Sequence, residues 1–340
     1  MPERSDRPWI DADDFASDPR FVSAPPLLQD LARTFHDTGL VVLPSAVQPD
    51  LRAAVRADLD STFGEPADRS LRPNRIAEAW EWSDAVRRLA GDAGIVGVVE
   101  FLHGRPAFPF QTLNFKWGTE QRGHRDSLHF DTLPSGFMCG VWVALEDVGP
   151  TQGPLRYHPG SHRITPPDAG PGGRRDFDYE GYEDEIERFV GSHGLPAVDL
   201  TAEAGDAVVW SAALIHGGAS ITDDTTTRWS QVTHYFFEGC TYVTPMYSRL
   251  SAREYAVREP MIDLRTGRRV AQVTDPPGAR IVRVGAGRSR IVHDGDPQPS
   301  ASEQVASAVR GAAMELRHGS HRLRRRLRSA SLRRAGRRRV

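Results

Sequence analysis

Residues 121–162 read QRGHRDSLHFDTLPSGFMCGVWVALEDVGPTQGPLRYHPGSH. The stretch opens on His124-x-Asp126, runs through a wholly apolar segment at 137–145, and closes on the turn-rich GPLRYHPGSH. An imidazole and a carboxylate separated by one residue lie on the same side of an extended chain. A second piece answers it downstream: IHGG at 215–218, followed by TRWSQVTHYFF at 227–237. His216 would complete a set of two histidines and one carboxylate. Such a set on one face of an octahedral iron(II) leaves three positions open for substrate and oxygen chemistry.

Around this stretch the texture is that of short strands. From residue 105 onward, apolar runs at 108–117, 137–145, 155–157, 207–210 and 228–237 alternate with Gly, Pro and Asp turns, as in an all-β barrel or sandwich. An insertion at 163–200 is rich in Gly, Asp and Glu, with a helix expected around 183–190. Its place over a barrel mouth suits a lid. Upstream the period is helical. Residues 27–35, 48–63 and 77–102 read as helices, the last as two hinged near Gly91-Asp92, and GLVVLP at 39–44 reads as a short buried strand. The division expected is an irregular segment 1–24, a main domain 25–250 and an extended wrap or linker 251–300. Within the main domain come a helical layer 25–104 and a β core 105–245; residues 301–340 are expected to be a helix and a basic tail. No internal repeat is visible.

With 340 residues, 39% hydrophobic and 26% charged, the chain suits a soluble globular protein. No apolar run reaches the roughly 18 residues of a membrane span. The polar, acidic MPERSDRPWIDADDF does not read as a secretory leader. Cys139 and Cys240 are the only cysteines, which fits a reducing, cytoplasmic setting and small buried residues rather than a disulfide. Net charge is −2, yet residues 322–340 hold ten arginines and no acid, so the rest of the chain is distinctly acidic. Lys116 is the sole lysine.

Two His-x-Asp pairs compete, His124/Asp126 and His129/Asp131. They are five positions apart, so they have opposite strand parity and cannot line one face. The first follows a strand ending near Trp117 and is favoured; the second suits a loop near the mouth. A lone His216 before two glycines is more often a turn histidine. It gains weight from Arg228 and Ser230, which share a strand face with Val232, His234 and Phe236. An arginine fork with a hydroxyl inside a barrel is suited to gripping a carboxylate. The bland alternative is an ion pair with one of the many acids.

Taken together, His124-x-Asp126, VWVALEDV at 141–148, GPLRYHPGSHR at 153–163, GDAVVW at 205–210, His216 and Arg228-x-Ser230 resemble the iron(II)/2-oxoglutarate-dependent dioxygenases, in their phytanoyl-CoA dioxygenase-like branch. The resemblance covers about residues 30–245. It implies a mainly β fold with flanking helices, a double-stranded β-helix (jelly-roll, cupin-like) core under an N-terminal helical layer. It also implies Fe(II), O2 and 2-oxoglutarate as cosubstrate, with succinate and CO2 released. By the same resemblance His124, Asp126 and His216 bind the metal, Arg228 pairs with the far carboxylate of 2-oxoglutarate, and Ser230 adds a hydrogen bond. Trp142 borders that pocket or simply packs the core, and Gln121, Thr112 and Asn114 approach the site. Some relatives place a polar residue two positions after the distal histidine, or a lysine on an upstream strand. Here the first position is Gly218, and the only lysine is Lys116. Related halogenases lack the carboxylate, so Asp126 implies oxygen insertion.

The expected activity is therefore oxidation of a small organic molecule, with hydroxylation foremost. The alternatives are an oxygenase brought to a macromolecule by the Arg-rich tail, and a barrel that binds without turnover. The tail is expected to be dispensable for chemistry and to meet, if anything, an anionic surface or nucleic acid.

Overall fold

The computed structural model describes residues 6–66, 68–165, 179–248, 254–273, 279–285 and 288–293. The expected helix at 301–316 and the basic tail lie outside the described residues. After short 3-10 turns come α1 (Pro19–Val22), α2 (Pro26–Thr38), β1 (Leu40–Leu43), α3 (Pro49–Phe63) and β2 (Ile76–Ala77). Then follow α4 (Asp84–Ala90), α5 (Ala93–His103), β3 (Ala107–Phe115), β4 (Asp131–Leu133), β5 (Met138–Ala144), β6 (Leu155–Tyr157) and α6 (Tyr179–Ser192). The core closes with β7 (Val198–Leu200), β8 (Ala207–Ser211), β9 (His216–Gly218), β10 (Ser230–Phe237) and β11 (Thr241–Val243).

Six antiparallel strands form the main sheet in the order β1-β8-β5-β10-β3-β2. A smaller sheet, β7-β6-β9, closes the barrel opposite it. Leu155, Leu200 and Tyr157 of the small sheet pack on Phe115, Trp142, Val208, Trp210 and Val232 of the large one. This is the jelly-roll core. The outer face of the main sheet is covered by the helical layer, where Val141, Val143, Val209, Tyr235 and Phe237 meet Val55, Leu59, Val86, Leu89, Val99 and Leu102. Strand β5 is buried along its whole length because both its faces are covered. That is why its sequence is a continuous apolar run and not an alternation.

The helical layer starts and stops where local chemistry dictates. Ser83 caps α4 by accepting from the Val86 amide at 3.1 Å, and its hydroxyl donates to Asp58 of α3 at 2.6 Å. The Asp92 carboxylate accepts from the amides of Gly94 and Ile95, opening α5 at the expected hinge. Gly104, at φ 72°, ends it.

Three segments differ from expectation. Residues 1–24 are not simply irregular: Trp9 and Ile10 are buried, and the Trp9 indole donates to Phe101 O at 2.6 Å, pinning the N-terminal segment to α5. The wrap at 251–300 contains β12 (Glu254–Ala256), β13 (Ile262–Asp263), β14 (Arg268–Arg269), β15 (Ala279–Gly285) and β16 (Arg288–His293). Met261 and Leu264 are buried there. In the insertion, α6 is longer than the helix expected at 183–190. Tyr182, Ile186 and Phe189 form one buried stripe that packs on Leu128 and Ile215. Those two residues flank the histidine-bearing segments, so α6 roofs the chemistry.

Candidate metal centre

His124 and His216 are brought together by the backbone. Each amide donates to the other residue's carbonyl at 3.0 Å, an isolated antiparallel bridge. The bridge requires the 120–122 segment to lie flat on the IHGG stretch. A Cβ at Gly217 would collide with the carbonyl oxygens of Gln121 and Arg122. Gly218 also faces this segment, but a Cβ there would lie 3.0–3.3 Å from the Glu120 and Gln121 backbone, so a side chain two places after His216 would need only a small shift of that backbone.

Arg125 continues the extended chain (φ −117°, ψ 135°), and Asp126 then starts a one-turn 3-10 helix, Asp126–Leu128. Its carboxylate lies 3.8 Å from His124 Nε2 through Oδ1 and 3.8 Å from His216 Nε2 through Oδ2. One ligand atom from each of the three residues falls within 4.8 Å of the others, and all three side chains are buried. Among the described residues no other His, Cys, Asp or Glu set is so arranged. The roles of the ring nitrogens follow from the outer contacts. His124 Nδ1–H donates to Arg122 O at 3.0 Å and His216 Nδ1–H to Leu214 O at 3.0 Å. Both Nε2 lone pairs are thereby left to face inward. Burial pulls the His124 pKa down to about 3, so its imidazole is neutral and ready to ligate. For Asp126, burial alone would favour the acid. The adjacent imidazoles, His216 foremost, overcome it and hold the carboxyl well below the usual range.

The second His-x-Asp pair is split. The His129 ring nitrogens face Met246 Sδ at 3.2 Å and Tyr179 OH at 3.3 Å, with the ring 6.4 Å from that of His124. Asp131 lies on β4 and accepts from the Thr132 amide and the Ser135 hydroxyl. Burial raises its pKa to about 6.

Arg228 enters the barrel just before β10, its amide donating to Lys116 O at 2.7 Å. The guanidinium is 5% exposed, stacks 5.7 Å from the Trp142 ring, and has no carboxylate partner among the described residues. Nη1 donates to Gly153 O at 2.9 Å, while Nε is buried with no acceptor. Burial lowers its pKa to about 10. The Trp142 indole N–H is likewise buried without an acceptor. Two orphaned donors in one wall call for an acceptor that the protein does not supply. Ser230, fully buried, sits beside them with its hydroxyl 3.5 Å from Arg228 O. Lys116 does not join this pocket. Its ammonium is turned to α3, where it is held by Asp60 at 2.9 Å, by Gly64 O and by Glu65.

Gln121 reaches the centre, its Nε2 3.4 Å from His124 Nε2. Thr112 and Asn114 do not. In register they stand opposite Thr233 and Gln231, on the face of the sheet turned to the helices. Asn114 Nδ2 donates to Gln231 Oε1, and Gln231 in turn donates to Val86 O of α4. The interior face of β3 belongs to Leu113 and Phe115. Two further residues, to which the sequence patterns assign no role, contact Asp126. His234 Nε2 lies 3.5 Å from Asp126 Oδ2, and the Trp210 indole donates to the same oxygen at 2.8 Å. His234 is legible from its parity with Ser230. Nothing in the sequence singles out Trp210.

The profile of the phytanoyl-CoA dioxygenase (PhyH) family matches residues 47–228, just over half the chain. The protein belongs to this family. The match takes in all three metal-facing residues and ends on Arg228. An ectoine dioxygenase of Sphingopyxis alaskensis is 30% identical over 176 residues, covering 47% of this chain and 56% of that protein. A probable phytanoyl-CoA dioxygenase of Caenorhabditis elegans is 27% identical over 148 residues, covering 38% and 44%. The chain thus spans about half the length of the curated relatives it matches. Among solved structures, the epimerase SnoN in complex with Fe3+, alpha ketoglutarate and nogalamycin RO superposes with a TM-score of 0.53. It is 25% identical, over 64% of this chain and 87% of that one. The carbocyclase SnoK shares the fold at a TM-score of 0.52 and 21% identity, over 66% and 88%.

In this PhyH member the donor set fits an iron(II): two imidazoles whose Nε2 atoms face inward and one ionised carboxylate on one side, with oxygen-rich ligands left to fill the other. It also fits 2-oxoglutarate, whose far carboxylate would satisfy the orphaned donors of Arg228 and Trp142. No helix among the described residues is long and apolar enough to cross a membrane.

Proposed function

We propose that the protein is an Fe(II)- and 2-oxoglutarate-dependent oxygenase that oxidises a small organic molecule, with hydroxylation the foremost outcome. The observation that carries this reading is the pairing of a buried His-Asp-His set with a buried arginine that has no carboxylate of its own. With iron and 2-oxoglutarate bound, O2 would be split between succinate and substrate, with loss of CO2. The chain's part is binding and exclusion. His124 and His216 hold the metal through Nε2, and Asp126 neutralises half of its charge. Arg228 anchors the far carboxylate of 2-oxoglutarate as a charge-assisted partner, Ser230 and Trp142 border it, and Gln121 stands at the metal's edge. The apolar wall of Phe115, Val208 and Val232 keeps bulk water from that end. Phe110, Phe130 and His129 surround the other end near His234 and are the side from which a substrate would approach.

The test is anaerobic Fe(II) titration of wild type, His124→Ala and His129→Ala, followed by uncoupled 2-oxoglutarate decarboxylation, which requires no substrate. His124→Ala should lose metal binding and decarboxylation, while His129→Ala keeps both. Loss of metal in His129→Ala with retention in His124→Ala would overturn the assignment.

A further inference from the structure

We propose that Trp210, seated in the space left by Gly140, is a positioning residue that restrains Asp126 to a single-oxygen bond to the metal. This rests on the iron reading of the His-Asp-His set. On β8, Trp210 stands opposite Gly140 of the central strand β5 and Leu40 of β1. Its indole N–H donates to Asp126 Oδ2 at 2.8 Å, and its ring lies 4.9 Å from the His216 ring. One side chain therefore braces two of the three metal-facing residues. His234 Nε2 approaches the same oxygen, Oδ2, at 3.5 Å. Each carboxylate oxygen lies 3.8 Å from one ligand imidazole, Oδ1 from His124 Nε2 and Oδ2 from His216 Nε2, but among the described residues only Oδ2 receives a hydrogen bond.

The chemistry needs this asymmetry. A carboxylate bound through both oxygens would occupy two positions of an octahedral metal. With the two imidazoles, only two positions would remain. A chelating 2-oxo acid uses two and O2 needs a third. A fixed N–H on Oδ2 satisfies that oxygen and sets the orientation of the other.

Gly140 shows that the placement is built. A glycine in the middle of a fully buried central strand sacrifices strand propensity and packing. Here a Cβ would overlap Cε2 and Cζ2 of the indole and come within 2.7 Å of its Nε1. The indole is itself 2% exposed and has no room to retreat. The glycine and the tryptophan, 70 residues apart, are thus one device.

Co(II) serves as the probe, because its visible ligand-field bands report coordination without turnover. Full-length wild type, Trp210→Phe, Gly140→Ala and the double variant are titrated anaerobically, with circular dichroism to verify folding. Trp210→Phe should weaken Co(II) about tenfold to a hundredfold, the usual cost of losing an outer contact to a ligand, and should shift the bands. Gly140→Ala should do the same by displacing the indole, and the double variant should be no worse than the more affected single one. Should Trp210→Phe fail to fold, Gly140→Ala carries the test alone. Unchanged affinity and unchanged bands in the folded variants, with wild type binding Co(II), would overturn the positioning role and leave the indole as packing. No Co(II) uptake by wild type would instead overturn the metal reading, and this proposal with it.

Discussion

Strand β10 has two faces, and they do different work. Ser230, Val232 and His234 look into the barrel, toward Trp142, Gly140 and the Asp126 carboxylate. Gln231, Thr233, Tyr235 and Phe237 look outward to the helices, where Tyr235 OH donates to Ala90 O at 2.8 Å and Phe237 stacks on His103 at 4.1 Å. Both faces are equally buried, so burial does not separate function from stability here. The kind of unsatisfied group does. On the outer face of β10, Gln231, Thr233 and Tyr235 find partners in the protein, and the groups left over opposite them on β3, the Thr112 hydroxyl and Asn114 Oδ1, are uncharged. Near the inner face, the donors left over are the Arg228 guanidinium Nε and the Trp142 indole. An interior with orphaned donors of one kind marks where a ligand completes the structure.

The largest effect that would sharpen this contrast is on the inner side. Lysine at 228 keeps the charge but loses the fork. Arg228→Lys should therefore weaken 2-oxoglutarate about tenfold or more, or roughly 1.5–3 kcal/mol for a charge-assisted contact. Apparent affinity is read from uncoupled decarboxylation, with thermal stability little changed. Unaltered affinity would remove Arg228 from the pocket.

On the outer side the next effect is on pH. Burial depresses the His103 pKa to about 4, against about 6.5 when unfolded. Between those values the unfolded chain binds a proton that the folded chain refuses, so stability falls as pH drops from about 6.5 to about 4. The slope from this one group is at most about 1.4 kcal/mol per pH unit. Half-buried His162, also pulled down to about 4, acts in the same direction, whereas Asp131, pushed up to about 6, opposes it. Comparison of wild type with His103→Gln isolates the contribution. The variant should lose less stability between pH 7 and pH 5 in urea denaturation, and an identical slope would show that His103 is not buried as a neutral ring.

Smaller still is Tyr235→Phe, which strips a hydroxyl from a helix carbonyl. It should cost about 1–2 kcal/mol of stability and leave Fe(II) affinity alone. A change in metal affinity would mean that the two faces communicate. The smallest expected effect is that of Thr112→Val. The Thr112 hydroxyl is buried with no partner, so an isosteric methyl should be neutral or stabilising by up to about 1 kcal/mol. Loss of 2-oxoglutarate affinity in this variant would return Thr112 to the inner face, against its register opposite Thr233.

Much of the molecule is legible in its sequence. The apolar run at 137–145, the helical stripes upstream and the turn-rich spacing downstream are local patterns, and local patterns report which face of an element is buried. The His-x-Asp pair, the distal histidine and the Arg-x-Ser pair are close enough in sequence to be read as units. What fails is parity at a distance. The sequence leads one to expect Thr112 and Asn114 at the site because β3 runs toward it. Their facing depends on the register of β3 against β10, which sets them opposite Thr233 and Gln231 on the helix side. No single-strand pattern says which face of a strand buried on both sides a partner strand will turn to the site. The burial of Trp9 escapes sequence patterns for a related reason: a short turn has no period, and its burial comes from meeting α5.

The sequence by itself determined the kind of fold, the helical and β halves, and the residue types that can hold a metal and grip a carboxylate. These follow from periodicity and side-chain chemistry, which every residue carries with it. Only the tertiary structure decided which His-x-Asp pair closes on His216, which face of β3 belongs to the barrel, that Lys116 serves α3, and that Gly140 makes room for Trp210 beside Asp126. Those outcomes depend on strands far apart in the chain coming into one register, and a contact between distant residues exists only once the chain between them has folded.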